Sequence, residues 1–175
     1  KLGQFIFPKK KLGVSAAYSL GLSNIRGNYF RIFSDDDFWI PGSGKALLEA
    51  AKPGLIVVGQ TLFCDELGEL SRKFPVQINR DGVFHSLYST IIPWRRNPNY
   101  FSLVSMLFPG EVNKIPFNSQ FSTKEDVIWL QSIWEIGYRF IQISGTVSKV
   151  STAGVVTTYA NLNSLKAKAT ALVTD

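Results

Sequence analysis

The feature that most constrains this chain is an alternation of strand-like and helical segments, each with its own breaker. "YFRIF" (29–33) is short and rich in aromatics and Ile, and reads as a strand. After Pro41, "GSGKALLEAAK" is a helical segment closed by Pro53-Gly54. "LIVVGQTLFCDELGELSRKF" then reads as a strand, a turn around Asp65 to Gly68, and a returning strand. "KEDVIWLQSIWEIG" sets Val127, Leu130, Ile133 and Trp134 on one side of a helix that Gly137 ends, and "YRFIQIS" is the strand after it. Ahead of these, "LGVSAAYSLGLSNIRGN" predicts a helix with Val14, Ala17, Leu20 and Ile25 spaced three to five apart and Gly27 as its C-cap. A terminal helix is expected over "NLNSLKAKATALV". This alternation predicts an α/β sheet sandwich, in which ligands bind beyond the carboxyl ends of the strands.

The 175 residues contain no repeat or linker long enough to divide them, which predicts one domain spanning 1–175. Apolar residues at 45% and charged residues at 18% make a globular composition rather than a disordered one. No apolar run is long enough to span a bilayer, and the first residues do not form a signal peptide. The single cysteine, Cys64, excludes an internal disulfide and fits a reducing compartment. With one histidine beside it, His85, a structural zinc site is excluded too. The net charge of +6 is partly clustered in "PKKK" and "WRR". Such clusters are solvated surface, or they attract phosphorylated ligands or an anionic membrane face. Nucleic acid is not expected, because no helix-turn-helix, zinc finger or aromatic RNA-binding signature accompanies the charge.

Against that basic background, "FRIFSDDDFWIP" (30–41) places Asp35, Asp36 and Asp37 side by side at a strand end. Adjacent carboxylates repel one another unless a cation compensates. A hard divalent ion prefers oxygen ligands and commonly binds one or two carboxylates plus substrate phosphates. The other reading is an acidic turn whose aspartate caps the next helix. The triplet alone leaves both open.

Its context resembles a known family. "GVSAAYSLGLSNIRGNYFRIFSDDDFWIPG" is similar to the central segment of the family-2 glycosyltransferases of the GT-A fold, through Gly13, Ala16, Ala17, Gly21, Leu22, Gly27, Tyr29, Asp35 to Asp37 and Pro41. Later, "FNSQFSTKEDVIWLQSIWEIGYRFIQIS" resembles that family's acidic motif, the helix after it, and the "GY" leading into a strand. The resemblance covers about residues 12 to 150, the middle third loosely. Tyr18-Ser19 stands where many members have Arg-Asn, and Ser34 where the first aspartate often stands. "KLGQFIFPKKK" matches at best the third strand of the family layout. The expectation is a GT-A-like mixed sheet flanked by helices, incomplete at its N-terminus: the C-terminal two-thirds of a catalytic domain, without the nucleotide-binding strands.

The resemblance implies an inverting transfer of a sugar from a nucleotide diphosphate sugar to a hydroxyl of a glycan or lipid-linked saccharide. Asp36 and Asp37 would hold Mg2+ or Mn2+, with Asp36 the main ligand, and Asp35 would face the donor's ribose or sugar. Asp126 would be the general base, with Glu125 beside it shaping the field or binding acceptor. On local sequence alone, Glu125 and Asp126 read equally as first-turn acids on a helix dipole. Lys11, with Lys9, Lys10, Arg95 and Arg96, could contact diphosphate or an anionic lipid carrier, against solvated surface. Trp39 and Trp129 could stack on sugar rings, or belong to the core. His85 could help bind a phosphate or the metal, or be structural. Nothing near Cys64 suggests nucleophilic catalysis.

Two other classes compete. One is a non-catalytic or truncated relative that keeps the scaffold for binding or assembly. The other is an unrelated phosphotransfer or hydrolytic domain using the aspartates for Mg2+, against which the missing Gly-rich phosphate loop counts. The setting expected is the bacterial cytoplasm, at the inner face of a membrane by peripheral association, in surface-polysaccharide assembly. The donor sugar, acceptor and oligomeric state are not encoded in these motifs.

Overall fold

The computed structural model describes residues 6–34, 37–64, 70–73, 102–120 and 125–151, which form a mixed α/β structure. Its helices are α1 (Val14–Ser23), α2 (Ser43–Glu49) and α3 (Glu125–Glu135). Its strands are β1 (Tyr29–Phe30), β2 (Asp37–Trp39), β3 (Leu55–Cys64), β4 (Leu70–Lys73), β5 (Met106–Pro109) and β6 (Arg139–Ser151). Short 3-10 turns flank β5 at Leu103–Ser105 and Gly110–Lys114. The strands pair in the order β1-β5-β3-β6-β2, with β4 also on β3.

The sheet is mixed because β3 and β6 run parallel while the remaining pairs are antiparallel. From Leu55↔Arg139 to Cys64↔Ser151, β6 occupies one side of β3 throughout. On the other side β5 meets Val57 and Val58, and β4 meets Leu62 to Cys64. The two strands expected over 55–74 are β3 and its antiparallel partner β4, and the turn expected around Asp65 to Gly68 lies outside the described residues.

The apolar run at the start of β3 reflects burial on both faces. Ile56, Val57 and Val58 are fully buried, but they alternate between two clusters. Ile56 and Val58 join Met106 and Phe108 against Leu22 of α1 and Trp129, Leu130 and Ile133 of α3. Val57 joins Leu107 and Val147 against Leu47 of α2. Helices therefore cover both faces.

Between Val58↔Gln142 and Gln60↔Thr146, β3 advances two residues while β6 advances four. The extra residues bulge from β6 at Gly145, whose φ of 109° suits glycine. Opposite them, Gly59 has no room for a side chain: a Cβ there would stand 2.3 Å from Val147 Cγ1. Beyond the bulge, Thr61 Oγ1 and Ser148 Oγ share a buried hydrogen bond of 3.2 Å.

Three expectations are corrected. The inward face of α1 is Ser15, Tyr18 and Leu22, whereas Val14 and Ala17 are exposed. This helix is small and apolar nearly all round, so spacing alone did not select its face. Gly27 is not its C-cap. The helix closes at Asn24, whose Nδ2 donates to Leu20 O at 2.8 Å and whose backbone N–H reaches Gly21 O at 3.1 Å. Gly27 instead lies where Gly110 passes close by; a Cβ on Gly110 would meet Gly27 O at 2.4 Å. Finally, "YFRIF" pairs only over Tyr29–Phe30, and residues 31–34 leave the ladder.

Gly137 does end α3. At φ 111° it donates to Trp134 O at 3.1 Å, and Tyr138 N–H reaches back to Ile133 O at 3.3 Å. Among the described residues, no helix is long and apolar enough to cross a membrane.

Candidate functional site

The stretch that leaves the ladder after β1 leads into the acidic turn. Ser34 and Asp37 close that turn twice. Asp37 N–H donates to Ser34 O at 3.3 Å, and Ser34 N–H donates to Asp37 Oδ2 at 3.3 Å. Asp35 and Asp36 lie outside the described residues.

Tyr18 faces this turn from α1. Its hydroxyl lies near the Ser34 side chain, and Glu125, Asp126 and Asp37 all lie within its electrostatic reach. Burial, and then these three carboxylates, push the phenol above its ordinary value, with Ser34 opposing. Tyr18 thus stays a neutral hydroxyl within reach of carboxylates that are far apart in the chain. Asp37 follows β1, whereas Glu125 and Asp126 open α3.

A stack of rings sets that juxtaposition. Tyr18 packs on Phe117 with centroids 4.8 Å apart, and Phe117 stacks on Trp129 at 4.4 Å and 14°. Trp129 Nε1 donates to Ile115 O at 2.7 Å, and Phe117 N–H donates to Ser19 Oγ at 3.1 Å. Trp129 lies one helical turn beyond Glu125 and Asp126, so fixing its ring against α1 also fixes the start of α3. Asp126 Oδ1 accepts the Val127 N–H at 2.8 Å, so the carboxylate is held at the helix start.

Arg31 forms the other side of the turn. Its guanidinium donates to Ser43 Oγ at 3.2 Å, to Val104 O, and to Val147 O at 3.4 Å. Burial lowers its pKa to about 10, still well above neutrality. It lies 4.8 Å from the Phe33 ring centroid and 4.4 Å from that of Trp39. Phe33 and Trp39 stack on each other at 5.2 Å and 6°.

Of the residues expected at a site, Asp37, Glu125 and Asp126 all lie within electrostatic reach of Tyr18. Lys11 is exposed ahead of α1, as are Lys9 and Lys10. The two tryptophans separate. Trp129 is 1% exposed and belongs to the core, the second of its two readings, while Trp39 is 53% exposed. His85, Arg95, Arg96 and the expected terminal helix lie outside the described residues, as does the Cys64 side chain. Among the described residues, no three His, Cys, Asp or Glu side chains could hold a metal ion together.

Sequence reasoning passed over Tyr18 and Arg31. Tyr18 had a signal in its spacing to Ser15 and Leu22, one helical face. Arg31 had one in being a charge between Phe30 and Ile32, since a charged residue inside a buried run needs partners.

Compared with protein-family models and with curated proteins, the chain matches none.

Proposed function

We propose that this chain carries the acceptor-side chemistry of an inverting glycosyltransferase of the GT-A type. It would move a sugar from a nucleotide diphosphate sugar to a glycan or lipid-linked hydroxyl. The observation that supports this reading is that Asp37, Glu125 and Asp126 all lie within electrostatic reach of Tyr18. Two acidic segments that are far apart in the chain, and that match the two motifs of the family resemblance in order, both come within electrostatic reach of one side chain.

The arrangement suits a single displacement. The acceptor oxygen attacks the anomeric carbon as the bond to the diphosphate oxygen breaks, and Asp126 takes the acceptor's proton. Holding nucleophile, base and leaving group in line supplies much of the rate advantage. Asp126 is anchored by Val127 N–H and sits on a rigid helix, as a positioned base requires. Glu125 keeps the local field negative and favours proton transfer away from the acceptor. Asp37 offers hard oxygen donors, and with Asp36 it would hold a divalent cation that supplies Lewis-acid stabilisation of the departing diphosphate when bound. Tyr18 contributes a neutral hydrogen-bonding group between the two sets of carboxylates.

Calorimetric titration of the full protein with Mn2+ and UDP tests the reading. Saturable binding that Asp36→Asn weakens at least tenfold is expected, and no Mn2+ binding would sink the metal assignment. Asp126→Asn should lower turnover by about a hundredfold or more while leaving Mn2+ affinity unchanged. Normal turnover in that variant would remove Asp126 as base.

A further inference from the structure

Trp39 is unusual among the exposed apolar side chains because it is exposed and yet fixed. It leaves 53% of its surface in water, on a strand next to the acidic turn. Three neighbours hold its ring. Phe33 stacks on it nearly parallel, at 6°. The Arg31 guanidinium, itself tied to Ser43 Oγ and the carbonyls of Val104 and Val147, lies 4.4 Å from it. At Gly44 the first turn of α2 comes so close that a Cβ would stand 2.8 Å from Trp39 Cζ2. An indole that merely failed to find the core would not be braced by a half-buried cation and a glycine notch.

Asp37 lies two residues before Trp39 on β2 and so shares its face of the strand. One surface therefore combines a rigid apolar plate, a guanidinium beside it and the Asp37 carboxylate on the same strand face. A pyranose has the matching chemistry, with a face of C–H bonds for the indole and a rim of hydroxyls for the charged groups. We propose that Trp39 is the stacking platform for a pyranose ring of the saccharide acceptor, pre-set by Phe33, Arg31 and Gly44. This rests on the glycosyl-transfer reading for the acceptor's identity, but the platform itself needs neither metal nor nucleotide. Pre-organisation explains the bracing, since a fixed ring has no rotamer freedom to lose on binding.

The test is saturation-transfer NMR on the full protein, without metal, using the methyl pyranosides of glucose, galactose and N-acetylglucosamine, with uridine as the contrasting ring. At least one pyranoside should show saturable transfer. Trp39→Ala should weaken it by about three- to tenfold, the scale of one aromatic contact, and Trp39→Phe should recover part of the loss. Gly44→Ala, which keeps the indole but pushes it from its notch, should also weaken binding. Pyranoside binding that is absent, or equal in wild type and Trp39→Ala, would overturn the proposal, as would uridine binding that alone depends on Trp39. Mn2+ and UDP titration of the same samples keeps the two ideas apart. Mn2+ binding with no Trp39-dependent saccharide signal refutes the platform and spares the transferase reading, and the converse refutes the metal site and spares the platform.

Discussion

The two faces of the sheet are built from different materials, and each positions a different part of the site. On the α1/α3 face a chain of aromatic rings runs through the core. Phe30, Phe108, Trp129, Phe117 and Tyr18 follow one another at centroid spacings of 5.2, 5.1, 4.4 and 4.8 Å. On the α2 face the core is aliphatic and compact, made of Leu47, Val57, Leu107 and Val147. The aromatic face spans the distance from β1 to α3 and fixes the helix whose first turn carries Glu125 and Asp126. The aliphatic face seats α2, whose first turn supplies Ser43 to Arg31 and the Gly44 notch to Trp39. Large rigid rings thus set a long-range spacing, while small residues allow a close approach.

The comparison is broken most severely at the centre of the aromatic face. Trp129→Ala should destabilise the protein by about 3–5 kcal/mol, because it opens a ring-sized cavity and leaves the Ile115 carbonyl without its donor. Urea denaturation measures the loss, and Trp129→Phe should recover part of it. On the aliphatic face, Leu47→Ala should lose about 2–3 kcal/mol, the low end for a buried leucine, since its cluster is small. If Leu47→Ala proved the more damaging of the two, the contrast between faces would fail.

Over-packing sharpens the same contrast. Gly59→Ala would drive a methyl against Val147 at the β6 bulge and should destabilise by about 1–3 kcal/mol. The pair Gly59→Ala with Val147→Ala should recover much of that, and a double-mutant cycle reads the coupling.

The smallest effect lies at the outer end of the aromatic stack. Burial, then Glu125, Asp126 and Asp37, hold the Tyr18 phenol above 10.0 in the folded chain. The folded state therefore keeps a proton that the unfolded state releases. That contribution is fully present below about pH 10 and is lost as pH rises through the folded-state value. Tyr18→Phe should change stability by under about 1 kcal/mol at neutral pH and make the alkaline decline shallower. Denaturation at pH 8 and above pH 10 measures the difference in slope. Tyr138, raised chiefly by burial, has the same sign and remains in the variant as a background.

Much of the scaffold could be read directly. The run of Ile56, Val57 and Val58 indicated a strand, and Gly137 marked the end of α3 because a left-handed residue there favours glycine. The face of α1 could not be read, since Val14 and Ala17 look as inward as Leu22 until a neighbour selects one side. Glu125 and Asp126 could be read as a helix start, and Asp37 as part of a turn, but neither reading contains the other. Trp39 and Trp129 are the same residue type with the same two readings, and only their neighbours separate them.

By itself the sequence determined the strand–helix alternation around β3 and β6 and where α3 stops, because these depend on backbone propensities and on residues a few positions apart. The tertiary structure decided which side of α1 is buried, which tryptophan meets water, and that Asp37 and the start of α3 share the surroundings of Tyr18. Those outcomes depend on side chains far apart in the chain competing for the same volume, and no local pattern encodes that competition.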